Sequence, residues 1–317
     1  MRSSAAALLC LACATGAASC STGAPLPEVK VHVSVSPVAA RALVTLSVNR
    51  RLARVVLVED PAQADLAWFG DPVQALRQSR LLVPGSAPDA PGVAGRWKDP
   101  ARRFFPVGAR ARVLLVDPRV TLPVQPGRLR DLADPRLAGF QAIAATDRGE
   151  GPATFAALAV LSSDEAALGL LRAIAAQRPQ VAEDGPGVQW LLSSGKAAFG
   201  LAGSEQAAAG AVSVAALEVV YPDQAGFGTL VFPTAAAVLQ RGVENPAVHA
   251  LADWLAGSDA EQLLVARTPG LMPLRVDVPL PPGVRSARDL RSPSIDWERL
   301  AEADRRLTPH LGLMAKP

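Results

Sequence analysis

The stretch Thr146-Asp147-Arg148-Gly149-Glu150-Gly151-Pro152-Ala153-Thr154 brings hydroxyls, a guanidinium and two glycines to one strand-to-helix junction. The free N–H groups of a helix's first turn, together with its dipole, favour an anion. Backbone amides over 151–154, those of Gly151 and Thr154 among them, can therefore cradle a phosphonate, phosphate or carboxylate, with Thr146 and Gly149 in the same loop. Arg148 or Arg112 would add charge-assisted hydrogen bonds. A surface turn with solvated charges is the competing reading, since arginine is abundant throughout the chain.

Other strand ends offer Ser34 and Ser36, whose hydroxyls donate to anions, Gly70 with Asp71, Gly203-Ser204-Glu205, and Tyr221. Several of these have a structural alternative. Ser36 before Pro37 and Asp71 before Pro72 fit helix N-caps. Glu205 can receive an ammonium or a metal, but it also fits first-turn charge that complements a helix dipole. Asp223 after Pro222 fits a turn.

Patterns suggestive of catalysis fall short. Ser193-Ser194-Gly195-Lys196 has Ser-x-x-Lys spacing, yet Gly195 would break the helix that must bring the two side chains together. Gly195-Lys196 lacks the upstream glycine and following hydroxyl of a phosphate-binding loop. His32, His249 and His310 are scattered, without the spacing of a metal or hydrolase motif. The reading is a binding protein that is not an enzyme, with no cofactor, no metal site and no catalytic residue.

The elements that position these residues alternate. Residues 29–35 read as a Val-rich strand, 37–48 as a helix, 54–58 and 64–69 as short apolar strands, and 72–82 as a helix. Such alternation argues a mostly parallel sheet. Lys30, His32, Ser34 and Ser36 nevertheless give the first strand a polar face, where a central parallel strand is apolar on both sides. A Pro- and Gly-rich excursion over 84–106 leads to a strand at 111–116, where the chain crosses to a second lobe. That lobe is expected to hold strands at 141–144, 198–201 and 216–220, helices at 152–161 and 187–194, and a further helix opened by a Ser162/Glu165 capping box. Residues 230–233 return the chain to the first lobe, where Asn245-Pro246 and Ser258 with Glu261 open helices. Two crossings make a hinge. The expected division is 1–19 signal peptide, 20–27 tether, 28–113 with 232–317 as lobe 1, and 114–231 as lobe 2.

Arg2, an uncharged Ala-rich run and Ala17-Ala18-Ser19-Cys20 read as a secretory signal. The tetrapeptide resembles the bacterial lipobox, which makes Cys20 the expected lipid anchor in preference to Cys13, and sets the protein in the periplasm or on an extracytoplasmic membrane face. Cleavage without lipid is the alternative. All three cysteines lie in the first 20 residues, so the remaining chain has no thiol or disulfide. Beyond them no apolar run approaches the ~20 residues that span a bilayer. The 317 residues suffice for two domains, and 32 basic and 29 acidic residues are interspersed for a net charge of +3, which leaves no nucleic-acid footprint.

Six stretches in succession carry a resemblance: Asp65-Leu66-Ala67-Trp68-Phe69-Gly70-Asp71-Pro72, Ala109-Arg110-Ala111-Arg112-Val113-Leu114-Leu115-Val116, Leu129-Arg130-Asp131-Leu132-Ala133-Asp134-Pro135-Arg136-Leu137-Ala138-Gly139, Val220-Tyr221-Pro222-Asp223-Gln224, Gly228-Thr229-Leu230-Val231-Phe232-Pro233 and Gly270-Leu271-Met272-Pro273-Leu274-Arg275. Their order resembles the bacterial extracellular solute-binding proteins of the iron(III)/phosphonate/thiamine type that serve ABC transporters. The resemblance implies an α/β fold of two doubly wound lobes with an interlobe ligand cleft, the type 2 periplasmic binding protein architecture. It also implies that the 146–154 loop, Gly203-Ser204-Glu205 and Tyr221 match positions where relatives contact ligand. Ferric-iron relatives hold metal with two adjacent tyrosines at the place that here reads Ala202-Gly203-Ser204-Glu205, and Tyr221 is the only tyrosine in the chain. Tyrosinate ligation of free ferric iron is therefore not expected. The expected role is a monomer that captures a small anionic solute or metal complex and delivers it to an ABC permease. The alternative is a degenerate lipoprotein that contacts a protein partner and no longer transports, a reading favoured by the compressed stretch before Asp65, the missing tyrosines and the polar first strand.

Overall fold

The computed structural model describes residues 25–210, 217–280 and 285–314. The expected signal peptide, Cys20 and most of the tether lie outside the described residues, as does Ala216. The first elements are β1 (Glu28–Val33), α1 (Pro37–Asn49), β2 (Arg54–Leu57), β3 (Leu66–Phe69) and α2 (Pro72–Arg77). The long β4 (Phe105–Val116) then leads to β5 (Gln141–Ala144), α3 (Gly151–Leu161), α4 (Asp164–Ala176), β6 (Gln180–Ala182), α5 (Gly185–Ser193), β7 (Phe199–Gly203), α6 (Ser204–Gly210) and β8 (Glu218–Val220). The chain closes with β9 (Val231–Val238), α7 (Pro246–Leu255), α8 (Ser258–Arg267) and α9 (Trp297–Leu307).

The strands form one path, β2-β1-β3-β9-β4-β7-β5-β6, with β8 beside β4. Parallel pairing joins β1 to β2 and β3, and joins β5 to β6 and β7. Between these two parallel units run β9, antiparallel to β3 and β4, and β4, antiparallel to β7 and β8. The architecture is therefore two α/β lobes that share the strand pair β4/β9. On β4 the residues from Phe105 to Ala111 register against β9, whereas Arg112 to Val116 register against β7.

Every residue of β4 and β9 is buried, which fits strands covered on both faces. Within that apolar surround one polar chain fixes the crossing: the Trp68 indole donates to Thr234 Oγ1 at 2.8 Å, and the Thr234 hydroxyl donates to the Val107 carbonyl at 2.6 Å. β3, β9 and β4 are thus tied by side chains as well as by ladders. The β4 register shifts between Pro106 and Ala109, where Gly108 takes a φ of 72°; such a bulge re-aims the residues that follow.

Local signals placed most elements, and the exceptions have identifiable causes. The helix from Pro72 stops at Arg77 rather than running to 82. β4 begins at Phe105, six residues earlier than the apolar run suggested, because Pro106 and Gly108 sit at the bulge and mask the strand. The N-cap of α4 is Ser163, which accepts from Ala166 N, while the neighbouring Ser162 ends α3. Glu261 is not a cap: its carboxylate is fully buried, paired with Arg275 at 2.8 Å and accepting from Leu274 N. The two faces of β1 are covered unequally, since Val29 and Val31 on one are buried and Lys30 and His32 on the other are half-buried.

The C-terminal segment departs from the expected division at 232–317. Helix α9 packs on α2 and α3. Asp304 takes two hydrogen bonds from Arg77, both 2.7 Å, and Arg306 pairs with Asp164 at the start of α4. The segment therefore straddles the two lobes rather than keeping to the first.

Gly270 has a φ of 79°, and a Cβ placed there would collide with the Ser204 carbonyl oxygen. Gly270→Ala is expected to lower the unfolding free energy by about 2 kcal/mol or more, from left-handed strain plus the clash. Chemical denaturation checks this, and a change within about 0.5 kcal/mol would contradict the packing described here.

Candidate functional site

A cavity of ≈ 280 Å³ lies between the lobes. The first lobe contributes the β1–α1 junction at Ser34 and Ser36 and the α2 residue Gln74; the second contributes Thr146 and 148–151 before α3, 183–186 at the start of α5, Leu201 and Ala202 near the end of β7, and Glu205 and Gln206 in α6. Arg110 and Arg112, on the shared strand β4, line it as well. In the run Ala109-Arg110-Ala111-Arg112 the two arginines are two residues apart, so the pleat sends both to one face while the alanines face the other.

Both guanidiniums are buried, Arg112 to 1% exposure and Arg110 to 5%. Arg112 Nε donates to Thr154 Oγ1 at 3.0 Å, and its guanidinium lies over the Phe232 ring at 4.8 Å. Arg110 Nη2 donates to Glu205 Oε2 at 2.8 Å. Glu150 Oε1 stands 2.7 Å from Arg110 Nη2 and 3.2 Å from Arg112 Nη1, and Asp71 Oδ2 is 3.9 Å from Arg112 Nη2. Proximity is not alignment here. Arg110 Nε, Arg112 Nη1 and Nη2, Glu150 Oε1 and Glu205 Oε1 are buried without a hydrogen-bond partner of acceptable geometry.

The five charges do not behave alike. Burial pushes the Asp71 carboxyl up against the pull of Arg112, and burial likewise pushes Glu205 up against Arg110. Glu150 goes the other way: burial raises it, but Arg112 and Arg110 together hold it below the ordinary carboxylate value. Burial draws Arg112 down while Glu150 opposes; a guanidinium nonetheless stays protonated in proteins. Glu150 is therefore the one carboxyl of the three whose ionised form the two arginines favour more than burial opposes it.

Of the residues singled out in the sequence, Ser34, Ser36, Arg112, Thr146, Arg148, Gly149, Gly151, Thr154 and Glu205 line the cavity. Arg148 is at its mouth, half exposed and paired with Asp147 at 3.2 Å. Ser36 caps α1 by accepting from Ala39 N, and Thr146 donates to the Leu311 carbonyl. The others stand outside it. Asp71 lies behind Arg112 and accepts from Gln74 N as the α2 cap. Gly70 packs against Arg110 and Gln74, where a Cβ would fall 3.0 Å from Arg110 Nη1. Ser204 donates to the Gly270 carbonyl and accepts from Ala111 N, so its hydroxyl is committed to the scaffold. Tyr221 is under the Arg285 guanidinium, 5.1 Å from its ring centre, and does not line the cavity. Burial raises the Tyr221 phenol.

Arg110, Glu150 and Gln74 were not singled out. The first two were legible, Arg110 from its i, i+2 spacing to Arg112 and Glu150 from its place between two loop glycines. Gln74 had no local signal; it accepts from Ser34 Oγ and Gly70 N and so joins β1 to the end of β3. Among the described residues no cluster of His, Cys, Asp and Glu is arranged to hold a metal ion. No helix among them is long and apolar enough to cross a membrane.

Residues 66–302 match the family described as bacterial extracellular solute-binding protein. No curated protein matches the sequence. Solved structures share the fold at low identity. Iron-bound HitA from Pseudomonas aeruginosa is 16% identical with a TM-score of 0.77, over 90% of this chain and 99% of that one. Apo ferric ion-binding protein A from Pasteurella haemolytica is 16% identical with a TM-score of 0.76, over 90% and 98%. AfuA from Actinobacillus pleuropneumoniae, with exogenous fructose-6-phosphate bound, is 15% identical with a TM-score of 0.75, over 90% and 97%.

The raised Asp71 pKa gives a pH dependence of known sign. The folded protein holds this proton more tightly than the unfolded chain, so the group's contribution to stability falls as pH rises from its ordinary value of 3.8 through the folded value. Asp71→Asn keeps a good helix cap and removes the titration. Between about pH 4 and 7 the variant is expected to lose less stability than the native chain, measured by urea unfolding; parallel curves would contradict it.

Proposed function

Since the chain belongs to the bacterial extracellular solute-binding protein family, whose members are binding components of ABC importers, we propose that it captures a small solute bearing an oxyanion between its lobes and delivers it to a membrane permease. One observation carries this reading: buried guanidinium N–H groups of Arg110 and Arg112 border the cavity without aligned acceptors. A buried charge with unmet donors is costly, and a phosphate, phosphonate or carboxylate supplies acceptor oxygens in the geometry a guanidinium fork prefers. Ser34 and Ser36 from one lobe and Gly149 and Gly151 from the other line the same space. The sugar phosphate bound by AfuA is consistent with such a ligand in this fold. A scaffold kept only for contact with a protein partner gives no reason to bury two arginines facing a cavity.

In this reading the lobes divide where β4 changes partner, between Ala111 and Arg112. The β4/β9 pair acts as the hinge, and closure buries the solute. The protein works as a monomer tethered through Cys20 to an extracytoplasmic membrane face, without a cofactor or catalytic step.

The test is a thermal-shift screen of the chain begun at residue 20 against phosphate, phosphonates, sulfate, carboxylates, iron, thiamine and polyamines. At a concentration 100 times its Kd the true ligand adds about 2.7 kcal/mol, a rise of a few degrees. Arg112→Lys, which keeps charge and loses the fork, is expected to weaken that ligand by about 1.5–3 kcal/mol. Arg148→Ala, at the exposed mouth, is expected to cost less than about 1 kcal/mol. A shift with cations alone, or with nothing in the panel, would overturn the oxyanion reading.

A further inference from the structure

We propose that Glu150 is a built-in counter-ion which an oxyanion ligand must displace from the Arg110 and Arg112 pair, and that this competition decides which anions the cleft accepts. The inference rests on the oxyanion reading above and goes beyond it in naming the residue that sets selectivity. Glu150 Oε1 reaches both guanidiniums, at 2.7 and 3.2 Å. Neither contact is an aligned hydrogen bond, and the oxygen has no partner of acceptable geometry. The attraction is therefore electrostatic without directional bonding. A ligand with two or more oxygens can offer each fork an aligned acceptor and so outcompete the carboxylate.

The three carboxylates of the cluster are not equally free to leave. Asp71 holds the α2 N-terminus through Gln74 N, and Glu205 is hydrogen-bonded to Arg110. Glu150 precedes α3 in helical backbone geometry and makes no side-chain cap bond. Its side chain is also the most exposed of the three, at 22% against 8% and 0%. Gly149 before it takes a φ of 58°, and Gly151 after it packs closely on the Thr146 backbone, so the displacement required is of the Glu150 side chain and not of the junction's backbone. The seat it occupies is shaped by Gly203: a Cβ there would fall 2.7 Å from Oε1 and 3.0 Å from Oε2. Only a glycine at that strand end leaves room for the carboxylate against the arginines.

Such a residue acts as a selectivity filter. With Glu150 in place part of the pair's positive charge is already compensated, so a halide, which accepts without a bidentate geometry, gains too little to displace it. An oxyanion regains the full pair of forks once Glu150 swings out toward the mouth of the cleft.

Isothermal titration calorimetry on the chain begun at residue 20 tests this with inorganic phosphate, methylphosphonate, acetate and chloride. Glu150→Gln removes the competing charge and is expected to bind phosphate or methylphosphonate on the order of tenfold tighter than the native chain, and to admit chloride as a competitor. Glu150→Asp keeps the charge but is one methylene too short to bridge both guanidiniums, so a smaller gain is expected; it carries the comparison if Glu150→Gln does not fold. Oxyanion binding by the native chain that is unchanged or weaker in the variants would overturn the proposal while leaving the oxyanion reading intact. Binding of none of the four anions by any form would overturn both.

Discussion

Two guanidiniums are taken out of water on a strand that both lobes share, and the cost of that burial governs what surrounds them. Removing one ion from water costs several kcal/mol even after relaxation, unless partners replace the lost hydration. Arg112 is accordingly held at three points, by Thr154, by the Phe232 ring and by nearby carboxylates. Arg110 is answered by Glu205 and Glu150. The partners come from both lobes and from the loops that line the cleft, so satisfying the charges and assembling the site are the same event.

Both guanidiniums sit beside β4 and β9, every residue of which is buried. Their mutual antiparallel register, the chain of bonds from Trp68 through Thr234 to Val107, and the bulge at Gly108 fix where the Arg110 and Arg112 side chains emerge. The parallel units on either side supply the loops. Their strands end at the cavity, as ligand sites do in open α/β sheets. Across the back, α9 is bound to α2 by Arg77 and to α4 by Arg306, so the C-terminal segment bears on both lobes.

The legible part of the site was local. Ser36, Asp71 and Asn245 stand immediately before prolines, and each caps the helix that follows through an amide two or three residues on. The 146–154 loop announced a strand-to-helix junction by its glycines, and it borders the cavity. Where two local signals were equivalent the choice failed, as with the adjacent serines Ser162 and Ser163, either of which satisfies the cap pattern. Tyr221 and Ser204 follow second-lobe strands and match positions where relatives contact ligand, and the structure commits the Ser204 hydroxyl to the scaffold and leaves Tyr221 beside Arg285.

By itself the sequence determined the alternation of strands and helices, the two-lobed class and most of the turns that end at the cleft, because periodicity and capping are decided within a few residues. Tertiary structure alone decided that both arginines are buried, that Glu150 bridges them, and that Gly203 clears a seat for its carboxylate. Burial and charge compensation depend on which strands become neighbours: residues 110, 150 and 203 belong to three separate elements, and no spacing along the chain records that β4 lies between β9 and β7.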